Sequence, residues 1–178
     1  MIHKNKYPIL FLDSGDTFVD ESTQIYDENG TVIDAQLYDG SKEFLLKIKQ
    51  EGYTIALVAD GRHKSFENVY KKYGLWDVFE QKIISEVVGE QKPNLLMFKT
   101  ALKAFHLDSS DYSRIFMVGN NIRKDVLGAN KMGFISIWMN WSPRYYQIPR
   151  DTKEIADYVV KTPQELYELI HEFSLKLD

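Results

Sequence analysis

Four short segments of this 178-residue chain carry the side chains that could do chemistry. Asp13-Ser14-Gly15-Asp16-Thr17 opens with a carboxylate directly after the apolar run Ile9-Leu10-Phe11-Leu12. Ala59-Asp60-Gly61-Arg62 follows a second apolar run, Thr54 to Val58. Gly89-Glu90-Gln91-Lys92-Pro93 sets a lysine before a proline, and Gly119-Asn120-Asn121-Ile122-Arg123-Lys124-Asp125 supplies amides and another carboxylate. A carboxylate can act as a covalent catalyst on an anionic group when its attack is in line and cations cancel the repulsion. Lysine is one such cation. Magnesium is another, and because it keeps several of its roughly six oxygen ligands as water, few protein oxygens need to hold it. An aspartate after one strand, taken alone, is weak evidence, because such residues also cap turns and helices.

The elements around these segments decide whether they meet. Short apolar runs at Ile9 to Leu12, Thr54 to Val58, Ile115 to Val118 and Phe134 to Met139 alternate with helical patterns of ten or more residues. The helices are expected at Ser41 to Gln50, Lys64 to Tyr73, Pro93 to Phe105 and Arg123 to Met132, with Gly52, Gly74 and Gly133 as C-terminal stops. A last strand, Asp157 to Val160, leads through Thr162-Pro163 into an amphipathic helix ending near Leu175. This is the pattern of an α/β fold: a doubly wound, mainly parallel, Rossmann-like sheet with helices on both faces. Its crevice opens beyond the carboxyl ends of the strands, where all four polar segments fall. One stretch breaks the alternation: residues 21–36 read as a small β-hairpin flap turning at Asp27-Glu28-Asn29-Gly30. One domain over residues 1–178 is expected, because the chain is too short to divide comfortably in two.

In order and spacing the four segments resemble the motifs of the haloacid dehalogenase (HAD) superfamily: an aspartate-led DxDxT loop, a strand ending in Ser or Thr, a Lys-Pro helix start and a GDxxxxD loop. The resemblance runs from about Ile9 to the C-terminal helix. It implies a hydrolase in which Asp13 is the nucleophile, forming an aspartyl intermediate that water releases, while Lys92 neutralises charge. It also implies a magnesium ion held by Asp13, the main-chain carbonyl of Gly15, Asn120 and Asp125, and substrate contacts from Ala59, Asp60, Gly61 and Arg62. The expected activity is that of a magnesium-dependent phosphatase on a phosphorylated small molecule or macromolecule. Only a short hairpin is inserted, so a capless form is implied, whose open crevice suits a large substrate or one enclosed by a neighbouring subunit in a homo-oligomer.

Three positions depart from that pattern. Gly15 stands where family phosphatases carry a second aspartate that serves as general acid and base; its loss typically costs a factor of roughly 100 to 10,000 in rate. Asp16 could take over only if the loop turns it towards the cleft. Ala59 replaces a hydroxyl, and the carboxylate of Asp60 beside it would repel phosphate. Asn120 replaces the first aspartate of the last motif, which lowers the charge available to a metal. These changes leave open a non-catalytic binding or regulatory protein, and a metal-free dehalogenase, since family dehalogenases also lack the second aspartate.

The remaining signals bound the problem. The chain has no cysteine, which excludes disulfides, thiolate metal sites and a cysteine nucleophile. A net charge of −4 does not favour nucleic acid, no apolar window suits a membrane span, and the N-terminus lacks signal-peptide features, so the cytoplasm is expected. Arg62 and His63 either meet an anion at the crevice mouth or are, respectively, solvated and part of a helix start. Trp138, Trp141, Arg144, Tyr145, Tyr146 and Arg150 fall at the crevice end, where aromatic and Arg side chains suit a ring or a phosphate; the favoured reading is Trp138 in the core and a loop packed on its own surface or on another subunit. His3, His106 and His171 have no metal-ligand spacing and read as surface, whereas Phe44, Leu45, Ile48, Leu166, Leu169, Ile170 and Phe173 recur at helical spacing and read as core.

Overall fold

The computed structural model describes residues 7–177; His3 lies outside them. A six-stranded parallel sheet runs in the order β5-β4-β1-β6-β7-β8, built from β1 (Ile9–Leu12), β4 (Thr54–Ala59), β5 (Gln81–Ile84), β6 (Ile115–Gly119), β7 (Ile135–Met139) and β8 (Tyr158–Val160). The inner strands are continuous apolar runs because both faces are covered. Successive residues split by parity: Leu10, Leu12, Ile55, Leu57, Phe116 and Val118 join one core, and Ile9, Phe11, Ala56, Val58, Ile115 and Met117 the other. Each such side chain, fully buried, contributes about 1.5–3 kcal/mol relative to exposure.

The helices divide between those two cores. On the first face lie α1 (Ser41–Gln50), α2 (His63–Lys72) and α6 (Pro163–Leu177), through Phe44, Leu45, Ile48, Val69, Tyr70, Leu166 and Ile170. On the second lie α4 (Leu95–Ala104) and α5 (Leu127–Met132), through Met97, Phe98, Ala101, Leu102, Ala129 and Met132. The chain leaves β1 first towards β4 and β5, then returns on the other side to β6, so β1 is the switch point at which a crevice must open. The expected doubly wound sheet is therefore the observed one.

Two local differences have simple causes. Strand β5 was not expected, because it is a four-residue edge strand with only Ile83 and Ile84 buried, too short to show a period. The helix after Lys92 begins at Leu95 rather than Pro93, since the Asn94 side chain accepts from Leu96 N at 2.9 Å and caps it. A single turn, α3 (Ser85–Val88), precedes it.

The hairpin is present as an antiparallel pair, β2 (Val19–Tyr26) and β3 (Val32–Leu37), outside the main sheet. Its turn is set by Asp27 Oδ1, which accepts from Asn29 N at 3.0 Å and Thr31 N at 2.8 Å, and by Gly30 at φ 76°. The flap is tied to α2: Ser65 Oγ accepts from Val32 N at 3.0 Å, Asn68 Nδ2 donates to Val32 O at 2.9 Å, and Tyr73 Oη donates to Ala35 O at 2.9 Å. Those bonds fix the free edge of β3 and with it the wall of the crevice. Among the described residues no helix is long and apolar enough to cross a membrane.

Candidate active site

The loops after β1, β5 and β6 bring Asp13, Lys92 and Asp125 into one buried array. Lys92 is 3% exposed, and its ammonium donates to Asp13 Oδ1 at 2.7 Å, Asp125 Oδ1 at 2.6 Å and the Val58 carbonyl at 2.7 Å. An ammonium has three protons and no lone pair, so its donors are fully used. Burial alone would drive it towards the neutral amine, but the charges of Asp125, Asp13 and Asp60 more than reverse this and hold its pKa above the usual lysine value. For Asp125 burial pushes the pKa up, with Lys92 opposing it.

Asp13 is held from both sides. Its second oxygen accepts from Thr17 Oγ1 at 2.8 Å, and its main-chain N–H donates to Val118 O at 2.9 Å, tying the loop to β6. The loop is a tight turn in which the Ser14 carbonyl accepts from Thr17, Phe18 and Val19 N at 3.1, 2.9 and 3.1 Å. Asp125 reaches the array over Gly119, where a Cβ would stand 2.2 Å from the carboxyl group. Its other oxygen accepts from Asn121 N at 3.0 Å.

Asp16 does not face the cleft. It is fully buried at φ 49°, a left-handed conformation that aspartate tolerates better than most residues. Oδ1 accepts from Glu21 N and Tyr38 Oη, both at 3.0 Å, and Oδ2 from Ser142 Oγ at 3.2 Å and from Arg144 Nε. Trp141 Nε1 donates to its carbonyl at 2.8 Å. Three side-chain donors and one main-chain N–H commit this carboxylate, two of them tying it to the 140–146 loop, which leaves it unsuited to the displaced acid considered above.

The space over Gly15 is filled from elsewhere. A Cβ on Gly15 would lie 2.0 Å from Glu21 Oε1 and 2.6 Å from the Glu21 carboxyl carbon. Glu21 Oε2 accepts from Tyr145 Oη at 2.9 Å. Burial raises the pKa of Glu21, the Tyr145 hydrogen bond opposes this, and the charges of Asp16 and Asp13 raise it further. No spacing rule points to Glu21, whose place is set by the fold of the flap.

Of the second-motif residues, Asp60, Gly61 and Arg62 line the cleft and Ala59 does not. Ala59 is 1% exposed and belongs to the first core with Ile55 and Leu57, so it is no substrate contact. Asp60 lines the cleft, but Oδ1 accepts from Lys92 N at 3.0 Å and Oδ2 from Lys124 Nζ at 2.8 Å; its charge is neutralised and it braces two loops. Gly61 also lines the cleft at φ 152°, with its N–H already donated to Ser85 Oγ at 2.9 Å. Arg62 reaches back to the flap, donating to the Asn29 carbonyl and, at 3.4 Å, to Thr31 Oγ1. His63 lies edge-on to Trp76, with ring centroids 5.4 Å apart.

The aromatic loop reaches further than expected. Trp138 is half-buried and donates from Nε1 to the Asn120 carbonyl at 3.0 Å, Trp141 and Arg144 lock onto Asp16, and Tyr145 lines the cleft. Tyr146 lies under the Arg123 guanidinium at 3.1 Å, and Arg150 pairs with the buried Glu154. His106 and His171 are exposed.

For a magnesium ion the donor set is small. No cluster of three or more His, Cys, Asp or Glu able to hold a metal occurs among the described residues. Each oxygen of Asp13 and of Asp125 accepts one hydrogen bond, from Lys92 and Thr17 and from Lys92 and Asn121 N, and keeps a second lone pair, so both carboxylates stay open to a cation. With them stand the Gly15 carbonyl and Asn120, whose Nδ2 is buried without a partner. Turning that amide over would present its oxygen, since the two ends differ only in hydrogen-bonding sense. Two carboxylates and two neutral oxygens fit magnesium, which retains water for the rest. The cleft around them encloses about 300 Å³, at the lower end of small-molecule sites.

A parallel sheet with this array at its switch point defines a class, and residues 11–139 match the profile of the haloacid dehalogenase-like hydrolases. The chain belongs to that family. It is 33% identical over 132 residues to the glyceraldehyde 3-phosphate phosphatase of Pyrococcus furiosus, covering 74% of this chain and 53% of that protein. It is 30% identical over 131 residues to the phosphoserine phosphatase of Thermus thermophilus, covering 74% of this chain and 50% of that one. The chain thus spans about half the length of these relatives. In fold it is similar to an uncharacterized protein from Listeria monocytogenes serotype 4b, with TM-score 0.71 and 23% identity over 93% of this chain and 99% of the other.

Proposed function

We propose that this chain hydrolyses phosphoric monoesters of small molecules through an aspartyl-phosphate on Asp13. The reading is carried by the Lys92 ammonium, buried at 2.7 Å from a carboxylate that opens onto the cleft. Phosphatases among the relatives support the same class of reaction. Asp13 attacks phosphorus, the ester P–O bond breaks, and water then cleaves the acyl phosphate to regenerate the carboxylate. Lys92 cancels anionic charge as the phosphoryl group arrives, and Asp125 and Val58 O keep it aimed. Thr17 fixes the rotamer of Asp13. Magnesium, held by Asp13, the Gly15 carbonyl, Asn120 and Asp125, would neutralise phosphoryl oxygens when bound. The modest cavity favours metabolite-sized esters over macromolecules.

The test is a screen of small phosphomonoesters with and without magnesium, comparing wild type with Asp13→Asn. Turnover that disappears in the variant supports the reading. Equal residual activity in both sinks it.

A further inference from the structure

We propose that Glu21, on the first strand of the flap, is the residue that protonates the leaving group and then deprotonates water. The inference rests on the phosphomonoesterase reading above.

The reaction needs such a group twice. When Asp13 displaces an alkoxide from phosphorus, the departing oxygen must gain a proton; when water attacks the aspartyl-phosphate, it must lose one. The other carboxylates and the ammonium around Asp13 are committed elsewhere. Lys92 spends its three protons on Asp13, Asp125 and Val58 O. Both Asp125 oxygens are engaged by Lys92 and Asn121 N, and both Asp60 oxygens by Lys92 N and Lys124. Asp16 is turned away onto four side-chain and main-chain donors.

Among the described carboxylates lining the cleft, Glu21 alone has an oxygen that accepts no hydrogen bond. It lines the same cavity as Asp13 and Lys92. Its Oε2 takes the Tyr145 hydroxyl, while among the described residues no group donates a hydrogen bond to Oε1. That free oxygen is the one within 2.0 Å of the point a Gly15 Cβ would occupy, two residues along the loop from Asp13. Gly15 is not at positive φ, so its own backbone would accept a side chain; the occupied space is what excludes one. Tyr145 and the flap, fixed to α2, hold the carboxylate there.

In the first step the Glu21 carboxylic acid gives its proton to the ester oxygen as the P–O bond to that oxygen breaks and the P–O bond to Asp13 forms. In the second, the Glu21 carboxylate takes a proton from water as the water oxygen bonds to phosphorus and the Asp13–phosphorus bond breaks. The sum is ester plus water to alcohol plus phosphate, with Glu21 again an acid.

The experiment compares p-nitrophenyl phosphate, whose leaving group needs no proton, with glycerol phosphate, whose leaving group does, in wild type, Glu21→Gln, Glu21→Ala/Gly15→Asp and Asp13→Asn. For Glu21→Gln the expected result is a roughly 100-fold or larger fall in kcat on glycerol phosphate with KM little changed. On p-nitrophenyl phosphate the same variant should release one equivalent of nitrophenolate in a burst and accumulate phosphorylated protein. The double variant restores a carboxylate to the same space and should recover part of the turnover. Glu21→Gln turning over both esters at the wild-type rate, while Asp13→Asn is dead, overturns the role of Glu21 alone. So does an equal loss on both esters with no burst and no recovery in the double variant. Absence of Asp13-dependent turnover in wild type overturns the underlying phosphatase reading and the inference with it.

Discussion

Lys92 Nζ and Asp125 Oδ1 stand 2.6 Å apart with both side chains 1% exposed. Removing one partner of such a pair leaves an uncompensated buried charge, which typically costs about 3–5 kcal/mol. Lys92→Met leaves two carboxylates, Asp13 and Asp125, facing each other without a cation. Chemical denaturation should therefore report a loss in that range, together with loss of turnover. The pH dependence has a definite sign. Because the folded pKa of Lys92 is raised above 10.5, its contribution is fully present below that value and is lost only as pH rises through the folded value. Wild-type stability attributable to Lys92 should thus stay flat through neutral pH and fall only in strong alkali. A loss near neutrality traced to this residue would contradict the geometry.

Gly119 lets Asp125 come that close. A methyl group there would sit 2.2 Å from the Asp125 carboxyl group, so Gly119→Ala must push the carboxylate off Lys92 or displace β6. Overpacking of this kind costs about 1–3 kcal/mol. The expected outcome is a lower melting temperature and a fall in kcat at least as large as the stability loss implies. An unchanged kcat would show that Asp125 does not aim Lys92.

How far these relations could be read beforehand depends on what sets each of them. Strands β1, β4, β6 and β7 were legible because burial on both faces writes an unbroken apolar run, whereas the edge strand β5 carries Gln81 and Lys82 and writes none. Asp13, Lys92 and Asp125 were legible because loop position in a parallel sheet follows from element order. Ala59 was misread although parity was available: it follows Ile55 and Leu57 at period two and so points into the core with them. Glu21 was not legible at all. Its place depends on how the flap folds back over the nucleophile loop, and that is fixed by β3 docking on α2 rather than by anything local to Glu21.

Asn120 offers a readout of the metal that does not require turnover. With Asp13 and Asp125 as the charged members of the proposed ligand set, Asn120→Asp adds a third anionic side chain in a position whose amide nitrogen finds no partner. Ligand charge count tunes divalent-cation affinity, and roughly tenfold tighter magnesium binding is expected, equivalent to about 1.4 kcal/mol. Calorimetric titration with magnesium alone measures it. Unchanged or weaker binding would place the ion away from Asn120.

Asp16 tests whether the 140–146 loop is part of the site or merely near it. Its carboxylate collects Glu21 N, Tyr38, Ser142 and Arg144, and its carbonyl collects Trp141, so one buried residue joins the nucleophile loop, the flap and the aromatic loop. Asp16→Ala leaves those donors unsatisfied and also puts alanine at φ 49°, which it adopts less readily than aspartate. A loss of about 1–3 kcal/mol is expected from the buried donors left without an acceptor, since Arg144, 41% exposed, can turn to solvent. Asp16→Asn keeps the shape and the tolerance of that backbone conformation but not the charge, and should fall between alanine and wild type. Because Tyr145 lies next to Arg144 and donates to Glu21, hydrogen exchange should show loss of protection at 140–146 together with the amide of Glu21, and not in α4 or α5 on the opposite face of the sheet. Release of the loop without any change at Glu21 would separate the two, and would mean that the flap alone positions that carboxylate.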